Sequence, residues 1–197
     1  MSLSQMLAFL LFAAVATVTP GPNNVMLTAT GANFGIRRGL PHLLGIAIGF
    51  ALMIFIVALG LGSLLIQSPT LLRALKIAGI VVLLWLSWKI ATAGRSKTSD
   101  RANPVTFLEA ALFQWVNPKA WLICASAVGT YLDAHPGSAA TQATAFAVIF
   151  AGTALPCAGI WLLFGAGLQT WLRSERALRA FNIAMGVLLA STLVLLV

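Results

Sequence analysis

The chain has 197 residues, of which 60% are hydrophobic and only 8% charged. A soluble domain carries about 25% charged residues, so this composition excludes a water-soluble fold and points to an integral membrane protein, residues 1–197 forming a single transmembrane domain. The formal charge of +8 would suggest nucleic acid in a soluble protein, but here lysine and arginine sit in short connections between apolar runs, where they set topology, and no nucleic-acid partner is expected.

Six apolar runs approach the ~20 residues that a helix needs to cross a bilayer, so the expected fold is all-α with six transmembrane helices. The first runs from about Leu3 to Thr19 and resumes as a half-helix over Asn23 to Phe34. Leu7 to Ala16 has the look of a signal peptide, but Met1 to Gln5 carries no positive charge, so it reads as a retained span. The later spans are expected at Pro41 to Ile66, Leu72 to Ala93, Val105 to Tyr131, Ala139 to Trp171 and Leu178 to Val197. Residues 94–104 form the most polar loop.

Two of these spans are interrupted. Thr19-Pro20-Gly21-Pro22-Asn23-Asn24 stops the first, because proline removes a backbone donor and clashes with the preceding turn. Asn117-Pro118 stops the fourth in the same way. In hydrocarbon such a break persists only where it is buried in protein or lines a cavity, and broken helices with polar residues at the break build the substrate sites of many secondary transporters. The alternative is a plain helix-ending turn at the membrane surface.

Alternate loops differ in charge. One set holds Arg37, Arg38, Lys89, Arg95, Lys97, Arg101, Arg173, Arg176 and Arg179; the other holds Arg73 and Lys76. The first set is therefore expected in the cytoplasm and both termini outside. Arg73-Ala74-Leu75-Lys76 echoes Arg176-Ala177-Leu178-Arg179, Gly60-Leu61-Gly62 echoes Gly165-Ala166-Gly167, and Pro22 echoes Pro118. These echoes predict two inverted three-helix repeats, about 1–93 and 105–197, with a site where the two broken helices meet.

Pro20, Gly21, Pro22, Asn23, Asn24, Asn117, Pro118 and Lys119 are the candidate substrate-binding residues. The asparagines offer uncharged donors and acceptors for an ammonium and a carboxylate, and half-helix N-termini near Asn23 and Lys119 would favour an anionic group. An isolated Lys119 deep in the bilayer would cost ~2.5–3.5 kcal/mol or more; its partner is expected to be Glu109, a helix-end carbonyl or a bound carboxylate, unless it snorkels to the interface. Glu109 is either a proton carrier, since charge within a membrane is costly, or an interfacial residue paired with Arg101 or another loop arginine. Asp133, past the outer end of the fourth span, is the second proton-coupling candidate. His42 reads as a capping or interfacial histidine, the tryptophans as interfacial or packing residues, and Gly152, Ala154 and Ala158 as close helix packing. The cysteines, Cys124 and Cys157, form neither a CxxC nor a Cys–His cluster, so no metal or other cofactor is expected.

Thr19-Pro20-Gly21-Pro22-Asn23-Asn24, followed by Gly31-Ala32-Asn33-Phe34-Gly35 with Arg37-Arg38, resembles the LysE/RhtB family of bacterial amino-acid exporters. Asn117-Pro118-Lys119-Ala120 is similar to that family's second signature, and Trp85 to Thr92 is similar to its cysteine/O-acetylserine branch. The likeness covers the whole chain. It implies efflux of amino acids or their derivatives across the bacterial inner membrane by proton antiport. Ala110 stands where the family commonly has glycine, and the cysteine exporters lack the proline matching Pro118, which leaves the substrate branch open.

No Gly-rich phosphate loop appears, so ATP drive from this chain is not expected. The partners expected are a small amino-acid substrate, protons and the bilayer, with a homodimer as the assembly considered, and no enzymatic activity. A rival reading is a membrane thiol–disulfide electron carrier using Cys124 and Cys157. A second rival, an assembly subunit without transport, gives no reason for a costly polar break.

Overall fold

The computed structural model describes residues 2–61, 68–93, 103–132 and 139–195. Among them lie seven α-helices and no strand. Helix α1 spans Leu3–Val18 and opens with a capping box: the Ser2 hydroxyl accepts from the Gln5 amide, and the Gln5 side chain accepts from the Ser2 amide. It ends because Thr19 precedes proline and is pushed into extended backbone, φ −61° and ψ 131°. Helix α2, Pro22–Ile56, places proline at its first turn, where a missing N–H costs nothing.

The expected half-helix and second span form one helical run joined by a bend. Its hinge is Gly35 at φ 77° and ψ 178°, a region open to glycine almost alone. Residues 35–40, expected between spans, thus belong to the run. A π-helical turn, Val57–Leu61, follows. Helices α3 (Pro69–Ala91), α4 (Phe107–Val116), α5 (Pro118–Tyr131), α6 (Ala139–Leu168) and α7 (Glu175–Ser191) complete the chain, with a 3₁₀ turn at Thr192–Leu195. The interruption at Asn117-Pro118 separates α4 from α5.

Pro22–Gly60, Pro69–Ala91, Ala139–Leu168 and Glu175–Val194 are long and apolar enough to cross a membrane, whereas Leu3–Val18 and Phe107–Val116 are shorter apolar helices. At 1.5 Å per residue α1 reaches about 24 Å, less than the ~30 Å hydrocarbon core. The outer surface is apolar: Leu11, Leu52, Val81, Leu112, Val148 and Val187 are among many exposed aliphatic side chains. That is the inside-out pattern expected where hydrocarbon is the solvent.

The core is built by α2 against α6, flanked by α1, α4 and the α3–α7 pair. One stripe of α6 (Ala143, Phe146, Phe150, Ala154, Ala158, Leu162, Gly165) is buried at helical spacing. Phe50 stacks on Phe150 at 4.4 Å between ring centres. A Cβ on Gly31 would collide with the Leu162 carbonyl, and one on Gly165 with the Thr28 carbonyl, so the two helices meet backbone to backbone. Ala154 and Ala158 are buried as expected, but Gly152 is exposed and a Cβ there would meet nothing within 4 Å. The close approach lies three turns further on, at Gly165. The echo of Gly60 and Gly165 does not extend to the close approach, since a Cβ on Gly60 would meet no described atom within 4 Å. Gly62 lies outside the described residues.

Candidate functional site

The C-terminus of α1 leaves carbonyls without helical partners, and side chains from elsewhere meet them. Lys119 Nζ donates to the Thr19 carbonyl at 2.6 Å and to the Pro20 carbonyl at 3.3 Å. Asn24 Nδ2 donates to the carbonyls of Thr17 and Thr19, both at 2.9 Å. Trp161 Nε1 donates to the Val18 carbonyl at 3.1 Å. Val18, Thr19 and Pro20 are exposed while Pro22 and Asn24 are buried, so the break sits at the rim of the helix cluster and only its second half is buried. Carbonyls on such a rim need side-chain donors if no water is near. Of the three partners expected for Lys119, the structure has the helix-end carbonyls.

Across from these groups, Asn23 and Gln114 form a reciprocal amide pair. Asn23 Nδ2 donates to Gln114 Oε1 at 2.9 Å, and Gln114 Nε2 donates to Asn23 Oδ1 at 3.1 Å. Gln114 also donates to the Ala110 carbonyl at 2.8 Å and is fully buried. Asn117 caps α5, its Oδ1 accepting from the Lys119 amide at 3.1 Å. Gln114 was missed in the sequence, although a glutamine within the apolar run from Phe107 to Val116 is itself a signal.

Gly21, Pro22, Asn23, Asn24, Asn117 and Lys119 line one cavity, closed on its apolar side by Ile46, Phe50, Ile123, Phe150, Ala154 and Ala158. Pro20 and Pro118 are not in its wall; they start and stop the helices around it. The cavity volume is about 20 Å³, room for little more than one water, which needs ~10–15 Å³. Two proline-started helix N-termini, α2 and α5, thus converge on a small, largely apolar space edged by amides, with the Lys119 ammonium beside it.

Glu109 lies outside this wall. It completes a capping box with Thr106, accepting from the Thr106 amide at 2.7 Å, and pairs with Lys89 at 2.8 and 3.0 Å. Among the described residues its charged partner is thus Lys89 and not Lys119. Asp133, like Arg101, lies outside the described residues. His42 caps no helix end: it is fully buried, with Nδ1 2.9 Å from Thr30 Oγ1. Trp161 packs against the core, one of its two expected roles, and also holds the end of α1. Trp115 and Trp121 pack edge to face, and Trp121 Nε1 donates to the Trp115 carbonyl at 2.8 Å. Cys124 and Cys157 are unbonded to one another, the first buried and the second half-buried.

Residues 14–197 match the family model for the LysE type translocator. The chain belongs to the LysE type translocator family. This translocator is 30% identical over 125 residues to proteins named cysteine/O-acetylserine efflux protein from Escherichia coli, Shigella flexneri and Shigella sonnei. The matched stretch covers 64% of this chain and 64% of the length of each relative. No solved structure matches it.

Proposed function

We propose that this protein is a secondary active exporter of amino acids or their derivatives, working by proton antiport in the bacterial inner membrane. The observation that carries the reading is the convergence of two proline-started helix N-termini, Lys119 and three asparagines on one cavity. A substrate carboxylate replaces the Thr19 and Pro20 carbonyls on Lys119, helped by the positive ends of α2 and α5. Both amide hydrogens of Asn24 are engaged, which leaves its Oδ1, with Asn23 and Asn117, for the substrate ammonium. The relatives' names favour cysteine and O-acetylserine as the first compounds to test.

The cavity is too small for an amino acid, so this conformation is an occluded one and transport requires the helices around it to part. We read the chain as two inverted three-helix halves, about 1–93 and 105–197, six spans with both termini outside. The packing of α2 on α6 and α3 on α7, corresponding elements of the two halves, supports it. One half rocks against the other around the site. Glu109 and Asp133 are the carboxylates proposed for coupling to the returning proton. A homodimer is the assembly to test, by mass in a nanodisc.

The test is uptake of labelled cysteine, O-acetylserine, homoserine, threonine and lysine into inside-out vesicles with an imposed pH gradient. Wild type accumulates one or two of them; Lys119→Ala and Asn23→Ala lose that accumulation while present in the membrane at wild-type amounts. Full accumulation in both variants would place the site elsewhere.

A further inference from the structure

His42 is fully buried, and its Nε2 has no hydrogen-bond partner among the described residues. An orphaned buried ring nitrogen needs a reason. Its Nδ1 meets Thr30 Oγ1 at 2.9 Å, and the two residues lie on opposite sides of the Gly35 bend. That single bond therefore links the segment carrying Asn23 and Asn24 to the remainder of α2. Thr30 stands six residues beyond Asn24, about 9 Å along the helix axis.

Among the described residues the ring's electrostatic neighbours are Glu109 of α4 and Lys89 of α3. Arg37 and Arg38 of α2 and Glu175, Arg176 and Arg179 of α7 are exposed, α5 carries Lys119, which donates to the end of α1, and α1 and α6 bring no charged residue along their lengths. In this conformation Glu109 is engaged by Lys89 and the Thr106 amide, so an imidazolium would hold an unpaired N–H and a buried charge. The arrangement accommodates the neutral ring. It accommodates the protonated ring only if the bend opens to water or Glu109 leaves Lys89 to accept from Nε2.

We propose that His42 carries the exchanged proton, with Glu109 as the carboxylate that receives its hydrogen bond in the protonated state. The inference rests on the antiport reading above and adds His42 to Glu109 in its coupling step. A proton from the outer side adds to Nε2 when the site opens outward; passage through the occluded conformation to the inward-open one releases it to cytoplasmic water. The Thr30 bond transmits the change to the segment bearing the site.

Two measurements decide it. In proteoliposomes, wild type and His42→Gln are compared for pH-gradient-driven accumulation of labelled cysteine and O-acetylserine, and for exchange of these compounds without a gradient. The expected result is loss of gradient-driven accumulation in His42→Gln with exchange retained. Accumulation equal to wild type overturns the role of His42 and leaves antiport standing. Wild-type accumulation that ignores the gradient overturns antiport itself, and this inference with it. The second measurement does not depend on that variant folding. The chain holds two histidines, so His135→Asn leaves His42 as the single imidazole for nitrogen NMR in nanodiscs. The ring is expected to shift between neutral and cationic forms when substrate is added at fixed pH. A ring locked in one form with and without substrate, from mildly acid to mildly alkaline pH, overturns the proposal.

Discussion

Gly21 shows how closely the site is fitted to one side chain. Its backbone is extended, φ 179°, which any residue adopts, so the requirement for glycine is spatial. A Cβ there would lie 2.9 Å from Lys119 Cδ and 3.1 Å from its Nζ. Gly21→Ala is therefore expected to push the lysine off the Thr19 and Pro20 carbonyls. Accumulation of substrate in inside-out vesicles should fall several-fold with membrane levels of the protein unchanged; wild-type uptake would show that Lys119 is free to move. Gln114 acts differently, since it holds Asn23 rather than lining the cavity. Gln114→Leu leaves the Asn23 amide without its partner, a loss of about 1–3 kcal/mol for a buried polar group. The thermal midpoint in detergent should drop, and the apparent KM for substrate should rise as Asn23 loses its fixed orientation.

At the scale of elements, the bend in α2 is the feature that lets one helical run serve two purposes. Pro22 to Phe34 carries the asparagines, and Ile36 onward packs Ile46 and Phe50 into the cavity wall. Gly35 joins them in a backbone region that side chains avoid. Gly35→Ala is expected to destabilise the fold by about 1–3 kcal/mol, read as an earlier thermal transition in micelles and slower transport. A melting curve superimposable on wild type would mean that the run straightens without penalty. Both interruptions were legible in the sequence because proline and glycine act through their own backbones, locally. The break after Phe34 was legible as well, but that residues 35–40 continue the helix through a bend at Gly35 was not, because a loop and a bent helix accommodate glycine equally well.

Among the described residues the exposed charges lie near helix ends and the Gly35 bend, and most buried polar side chains are held in a few bridges between helices. Asn33 and Asn182 form one of these, a reciprocal amide pair at 2.7 and 2.9 Å, with Asn182 also donating to the Ala93 carbonyl at 2.7 Å. It ties α2, α7 and the end of α3 together, as Asn23–Gln114 ties α2 to α4. The cysteines take no part in such bridges. Cys124→Ala with Cys157→Ala is expected to keep gradient-driven uptake, whereas a thiol–disulfide carrier would lose all activity; that comparison separates the two classes of function directly.

Composition and proline placement by themselves determined a helical membrane protein, its broken helices and most of the polar residues around the cavity. These depend on local chemistry: apolar runs of spanning length, a ring that removes an N–H, amides in an otherwise apolar stretch. The partners were decided by tertiary structure alone. Lys119 meets carbonyls a hundred positions away, Asn23 meets Gln114, Glu109 meets Lys89, and His42 turns inward to Thr30. A polar side chain inside an apolar run announces that it needs a partner. Which partner it finds depends on how the helices cross, and that is settled by the packing of small residues such as Gly31 and Gly165, whose spacing along the chain carries no label.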